Sequence, residues 1–157
     1  MLYYANSEVD VKNIKKRFFY IFSEKNKSKI SIHKLNFYKN FTFIECLKVF
    51  PLSVYHGDLP ILGFRIEDFA YITDASNIPF QTIQQLKGLK ILVLNVLREI
   101  PKHPSHFTLS ESLKEIQKIS PKKAYLTHIS HMLGFHKEIE TQLPNNVYLA
   151  YDGLIIQ

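Results

Sequence analysis

Hydrophobic positions first recur at helical spacing at Ile14, Phe18, Ile21 and Phe22, with Lys12, Lys15 and Lys16 on other faces. Ser7 followed by Asp10 is a helix-start signal of capping-box type, and together they predict a helix over about 8–19. A polar loop follows at 24–29. Short apolar runs at 30–35, 41–45 and 47–55 read as strands, and Pro51 inside the last implies an edge or a bulge. Ile61–Ile66 and Phe69–Thr73 around Glu67-Asp68 suggest a hairpin. Pro79 to Leu86 reads as a short helix, with Gly88 beyond its end. The continuous apolar run Ile91–Leu97 is typical of a buried strand. Thr108 with Glu111 forms a fuller capping box and opens a helix carrying Leu113, Ile116 and Ile119. Ala124–Thr127 is a further buried strand, and a helix near 135–143 follows. Val147–Tyr151 and Leu154–Ile156 flank Asp152-Gly153, a hairpin signal. Strands and helices thus alternate in one mixed α/β domain over residues 1–157.

Composition narrows the class. An apolar fraction of 46% over 157 residues is enough for a sizeable core, and 5 Gly with 7 Pro argue against a fibrous or disordered chain. No apolar stretch approaches the ~20 residues of a membrane span, and no signal-peptide segment is visible. The single cysteine, Cys46, rules out an internal disulfide and a cysteine-based metal cage. A reducing, cytoplasmic setting is expected, with any metal held by His, Asp or Glu. The net charge of +6 lies entirely in residues 1–50; residues 51–157 balance. That basic third suits either a solvated lysine-rich surface or an anionic partner. Without an aromatic-and-basic recognition pattern, nucleic acid is not the expected partner.

The histidines carry the candidate chemistry. His56, Asp74 and His128 each follow a predicted strand, and His103 and His106 lie in the loop after another. Loops at one end of a sheet gather residues distant in sequence. Imidazole with carboxylate suits zinc, manganese or iron, and histidine suits proton transfer near neutral pH. Each residue also has a plain reading. His56 before Gly57 fits a turn, Asp74 a cap, His103 and His106 a polar proline-rich loop, and His128 a satisfied core histidine.

Taken together, His56-Gly57, Leu62-Gly63-Phe64-Arg65-Ile66, Tyr71-Ile72-Thr73-Asp74-Ala75, Leu92-Val93-Leu94-Asn95, His103-Pro104-Ser105-His106, Leu126-Thr127-His128-Ile129-Ser130-His131 and Tyr151-Asp152-Gly153 resemble a known family. They are similar to the C-terminal portion of a metallo-β-lactamase-fold hydrolase, in the branch containing phosphoribosyl cyclic phosphate phosphodiesterase. The tRNA 3′-processing endonucleases are more distant relatives. The resemblance implies an αββα sandwich, here mainly its C-terminal half. It implies hydrolysis of a small phosphodiester by a metal-bound hydroxide, with two divalent metal ions, zinc or manganese, in a complete member. His56 matches a ligand of one metal, Asp74 the bridging carboxylate and His128 a ligand of the second. His106 matches a catalytic group beside the scissile phosphate. His103 and His131 match no ligand, and the expectation for them is a supporting or surface role.

One departure stands out. The family's main ligand run, His-x-His-x-Asp-His, is absent from these residues. The resemblance therefore implies weak metal binding, little or no hydrolysis by this chain alone, and an uncovered inner sheet face. That face would be met by an N-terminal half or by self-association. The competing reading is a non-catalytic binding module on the same scaffold.

Overall fold

The computed structural model describes residues 2–5, 8–22, 31–34, 41–44 and 46–156. Strand β1 (Leu2–Ala5) pairs in parallel with β2 (Ser31–Lys34), and helices α1 (Glu8–Arg17) and α2 (Phe19–Phe22) lie between them in the chain. The expected helix is therefore present and breaks near Phe18. Ser7 and the polar loop at 24–29 lie outside the described residues.

The rest builds one seven-stranded sheet in chain order: β3 (Thr42–Ile44), β4 (Leu47–His56), β5 (Leu59–Ile66), β6 (Phe69–Ile72), β7 (Ile91–Asn95), β8 (Lys123–Thr127) and β9 (Val147–Leu149). From β3 to β6 the pairing is antiparallel, and from β6 to β9 it is parallel. Two-residue turns make the antiparallel half. Gly57, at φ +60°, lets the chain reverse between His56 and Leu59. The glycine-free turn expected at Glu67-Asp68 also forms, with Glu67 itself at φ 50°. Gly63 serves a different need: a Cβ there would meet Ile72 Cγ1 at 2.8 Å, so only glycine lets β5 lie this close to β6. Pro51 pairs with Phe64 of β5 and lies past Val49, the last β4 residue with a β3 partner, which is where a missing N–H is tolerated.

Parallel strands need crossovers, and α3 (Phe80–Gln85), α4 (Leu109–Ile119) and α5 (His136–Glu140) supply them. Helix α4 starts as its sequence predicts: Thr108 Oγ1 accepts from the Glu111 N–H, and Glu111 Oε2 accepts from the Thr108 N–H at 3.0 Å. Helix α3 is anchored by the Thr82 hydroxyl, which donates to the Ser53 carbonyl at 2.7 Å. These helices close one sheet face. Leu52, Ile72, Leu92, Leu94, Leu126 and Leu149 there are at most 2% exposed, packed with Ile83, Leu86 and Ile116.

The opposite face carries Ile44, Leu47, Val49, Phe64, Ile66 and Tyr71 around a shallow apolar concavity of about 340 Å³. Leu47 and Tyr71 remain 50% and 41% exposed.

One expected hairpin does not form. Asp152-Gly153 makes its turn, with the Leu154 N–H on the Tyr151 carbonyl at 3.1 Å, but Leu154–Ile156 is not a strand and Ile155 is 78% exposed. A turn signal specifies a local reversal; a ladder also needs cross-strand partners, and β9 takes its own from β8 on the other side. Among the described residues, no helix is long and apolar enough to cross a membrane.

Candidate metal centre

Strand direction decides where the polar groups meet. Because β5 is antiparallel to both β4 and β6, strands β4, β6, β7 and β8 all point the same way. Their C-terminal ends share one edge of the sheet, the usual position for ligand chemistry in such folds. His56 is the last residue of β4. Asp74 follows β6, His103 and His106 follow β7, and His128 follows β8.

The local backbone is bent to suit. Asp74 and His128 adopt φ 58° and 60°, in the left-handed region that most side chains avoid. Asp and His tolerate it better than most residues, yet each such residue costs about 1–3 kcal/mol and persists only where its surroundings impose it. Here they do. The buried Asn95 side chain accepts from the Ala75 N–H at 2.8 Å and donates to the Ala75 carbonyl at 2.9 Å. The Phe107 N–H donates to the same carbonyl at 2.9 Å, and the Val96 N–H to the Thr127 carbonyl at 2.8 Å. Across from them, the Gly57 N–H donates to Ser76 Oγ at 2.9 Å, and the Ser76 N–H to the Tyr55 carbonyl at 2.7 Å. The Asp74 loop is thereby tied to β4 on one side and β7 on the other.

Asp74 Oδ1 lies 3.4 Å from His106 Nε2 and 3.3 Å from His128 Nε2. One donor atom from each of Asp74, His106 and His128 falls within 4.8 Å of the others. The His106 ring stacks on His128 at 4.8 Å and meets His56 edge-on at 4.6 Å. His56 Nδ1 sits 2.8 Å from the Asp74 carbonyl; that oxygen can only accept, so Nδ1 carries the proton and Nε2 keeps its lone pair. Asp74, His106 and His128 therefore share one donor cluster, with His106 inside it rather than beside it, while His56, expected as a ligand, borders it through the His106 ring and the Asp74 carbonyl. The His106 side chain is 13% exposed and Asp74 43%. Burial, reinforced by His128, His56 and His103, holds the His106 imidazole below its ordinary pKa against the pull of Asp74.

The donor set fits a divalent cation on two grounds. It combines a carboxylate oxygen with imidazole nitrogens. In a tetrahedral site with bonds of about 2.0–2.1 Å, neighbouring donors sit roughly 3.3 Å apart; the two Asp74 distances are of that size, and the three donor atoms together lie within 4.8 Å.

Sequence reading assigned no part to Asn95 and Ser76, whose roles are hydrogen bonds to backbone far along the chain. His131 is exposed and stands outside the cluster, whereas His103 touches His106.

Comparison with known proteins shows the family and the fold. Residues 2–129 match the family described as Beta-lactamase superfamily domain. A protein named octanoyltransferase from Porphyromonas gingivalis (strain ATCC BAA-308 / W83) is 39% identical over 108 residues, 69% of this chain and 22% of that protein. The crystal structure of a diphosphatase of the PhnP family is 37% identical, with a TM-score of 0.85 over 98% of this chain and 56% of that one. Zn2+-bound PqqB from Methylobacterium extorquens, 15% identical, shares the fold with a TM-score of 0.73 over 98% of this chain and 64% of that one. The chain thus spans about a fifth of the curated relative and little more than half of the diphosphatase. With a mixed sheet of this topology, and a family match reaching from β1 through His128, the chain belongs to the β-lactamase superfamily domain family and has the metallo-β-lactamase fold.

Proposed function

We propose that this chain carries one side of the metal site of a hydrolase that acts on small phosphodiesters or diphosphates. The observation that carries the reading is Asp74 Oδ1 within 3.4 Å of two histidine Nε2 atoms, in a chain 37% identical to a PhnP-family diphosphatase. Asp74 and His128 are the central ligands, and His56 presents Nε2 from the same edge. His106 is the catalytic group placed to meet a phosphoryl oxygen. Divalent cations, zinc or manganese, supply Lewis-acid charge and activate water when bound. The chain's own groups hold the cations, orient the phosphoryl group and stabilise the leaving oxygen.

Two sites with three protein ligands each need more donors than these four groups provide. Polypeptide outside the matched 56% of the diphosphatase is the natural source of the remainder, and it also fits the open apolar face. Self-association through that face is the alternative cover. Acyl transfer is not proposed, because the match spans only 22% of the octanoyltransferase.

The test is hydrolysis of bis(p-nitrophenyl) phosphate with added Zn2+ or Mn2+, by the chain alone and with a polypeptide bearing the His-x-His-x-Asp-His run. Metal-dependent turnover, raised by that polypeptide and lost in His128→Ala, is the expected result. Phosphodiester binding without turnover, indifferent to His128→Ala, marks a binding module instead.

A further inference from the structure

The loops at the site edge carry large apolar side chains for which the hydrolase reading has no use. Ile100 lies in the loop between β7 and His103, and Met132 comes four residues after His128. Phe135 immediately precedes α5, and Tyr151 follows β9. All four are between 46% and 78% exposed. Apolar residues scattered singly over a surface are ordinary, but these stand on loops that touch one another. The Ser130 N–H donates to the Leu97 carbonyl at 3.0 Å, which ties the loop after β8 to the loop after β7. Arg98 Nη1 lies 3.6 Å from Met132 Sδ. The Tyr151 ring meets the ring of His136, the neighbour of Phe135, edge-on at 6.3 Å. Because β9 runs parallel to β8, Tyr151 comes out at the same sheet edge as His128. The apolar group thus occupies the β8–β9 end of the edge that holds the donor cluster.

Arg98 adds a cation to that end. Its other hydrogen bonds go to the Pro101 carbonyl at 2.7 Å and the Lys102 carbonyl at 3.4 Å, so among the described residues no carboxylate offsets its charge. A sugar would call for polar side chains to bond its hydroxyls. Ring and thioether surfaces beside a guanidinium suit a flat aromatic group joined to a negative charge. We propose that Met132, Phe135 and Tyr151, with Ile100 and Arg98 beside them, form a subsite for an aromatic ring carried on the phosphate ester. The substrate class is then a ring-bearing phosphodiester or diphosphate. The proposal rests on the phosphodiester reading and names the group next to the scissile phosphate. Met132, Phe135 and Tyr151 stand outside the buried core, so truncating them should leave the fold intact.

The experiment titrates phenyl phosphate, and separately methyl phosphate, into the full chain without added metal, while NMR follows the Met132 methyl group and the aromatic rings. Phenyl phosphate should shift the Met132, Phe135 and Tyr151 signals saturably, and methyl phosphate should leave them in place. Affinity for phenyl phosphate should fall about 10-fold in Phe135→Ala and in Tyr151→Ala, the size usual for a lost apolar contact in a substrate pocket. It should not change in Phe43→Ala, which removes a likewise exposed ring on β3, beside the start of β4 rather than its His56 end. With the polypeptide bearing the His-x-His-x-Asp-His run and added Zn2+, kcat/KM for bis(p-nitrophenyl) phosphate relative to methyl p-nitrophenyl phosphate should fall by a similar factor in the same two variants. No shift with phenyl phosphate, equal shifts with both phosphates, or undiminished affinity in Phe135→Ala and Tyr151→Ala alike overturns the subsite and leaves the metal-hydrolase reading standing. Rim signals that move with the polypeptide alone and then ignore phenyl phosphate mark a protein-docking surface and also overturn it. Absence of turnover removes the hydrolase reading, while the phenyl phosphate titration still decides for or against the ring subsite.

Discussion

Leu94 and Tyr71 sit on neighbouring strands of one sheet yet face different worlds. Leu94 is fully buried under α3 and α4, whereas Tyr71 on the opposite face is 41% exposed. The covered face gets its lid from the crossovers that parallel pairing requires, so its partners are local in sequence. The open face has no such crossover helix among the described residues, and although Val49 on it is 4% exposed, Leu47 and Tyr71 stay half-exposed. Its composition is nevertheless that of a buried surface: Val49, Phe64, Ile66 and Tyr71 stand where a solvent-facing antiparallel sheet alternates to polar residues. The sheet is thus patterned for burial on both sides while these residues close one.

The largest effect that separates the two faces belongs to the buried one. Leu94→Ala should cost about 2–5 kcal/mol in chemical denaturation. Leu47→Ala on the open face should stay within about 0.5 kcal/mol. Equal losses would mean that the open face is covered in solution. At the strand ends, where the faces meet the site, Asn95→Leu orphans the Ala75 N–H and removes one partner of its carbonyl. A loss of about 1–3 kcal/mol is expected, with altered Asp74 and His56 resonances.

A smaller effect reads backbone strain. His128→Gly should be more stable than His128→Ala by roughly 1 kcal/mol, because only glycine accepts φ 60° freely. Equal melting would place His128 outside that region. Comparable in size is Thr108→Ala, at about 1 kcal/mol for the lost cap. Burial pushes the Glu111 carboxyl up, but hydrogen bonds from the Thr108 N–H, Lys102 and the Thr108 hydroxyl outweigh it and hold the pKa below its ordinary value. Its contribution is full above the usual carboxylate range and fades as pH falls through the lowered folded-state value. Stability measured from pH 7 down to 3 should show that limb in wild type and a flatter one in Thr108→Ala. The smallest change in stability goes with a clear change in surface. Tyr71→Ser should barely move the melting temperature while lowering binding of a hydrophobic dye.

The helix at Thr108 and the strands at 91–95 and 123–127 were legible because their signals are local: a capping box and apolar runs between breakers. The antiparallel strands were legible as apolar runs, although the His56–Leu59 reversal was visible only as a histidine before a glycine. The hairpin expected around Asp152-Gly153 failed because pairing is not a local property. At the site, His56, Asp74, His106 and His128 could be picked out as polar residues after predicted strands. Asn95 could not, since it lies within an apolar run and its partner is the backbone of Ala75.

Residue order alone determined the elements, the polar positions at their ends and the family likeness, because capping, apolar period and turn chemistry act over a few residues. Tertiary structure alone decided that four strand ends share one edge, that His106 enters the donor cluster, and that one sheet face stays open. Those outcomes depend on strand direction and on contacts between segments far apart in the chain, and no local pattern encodes either.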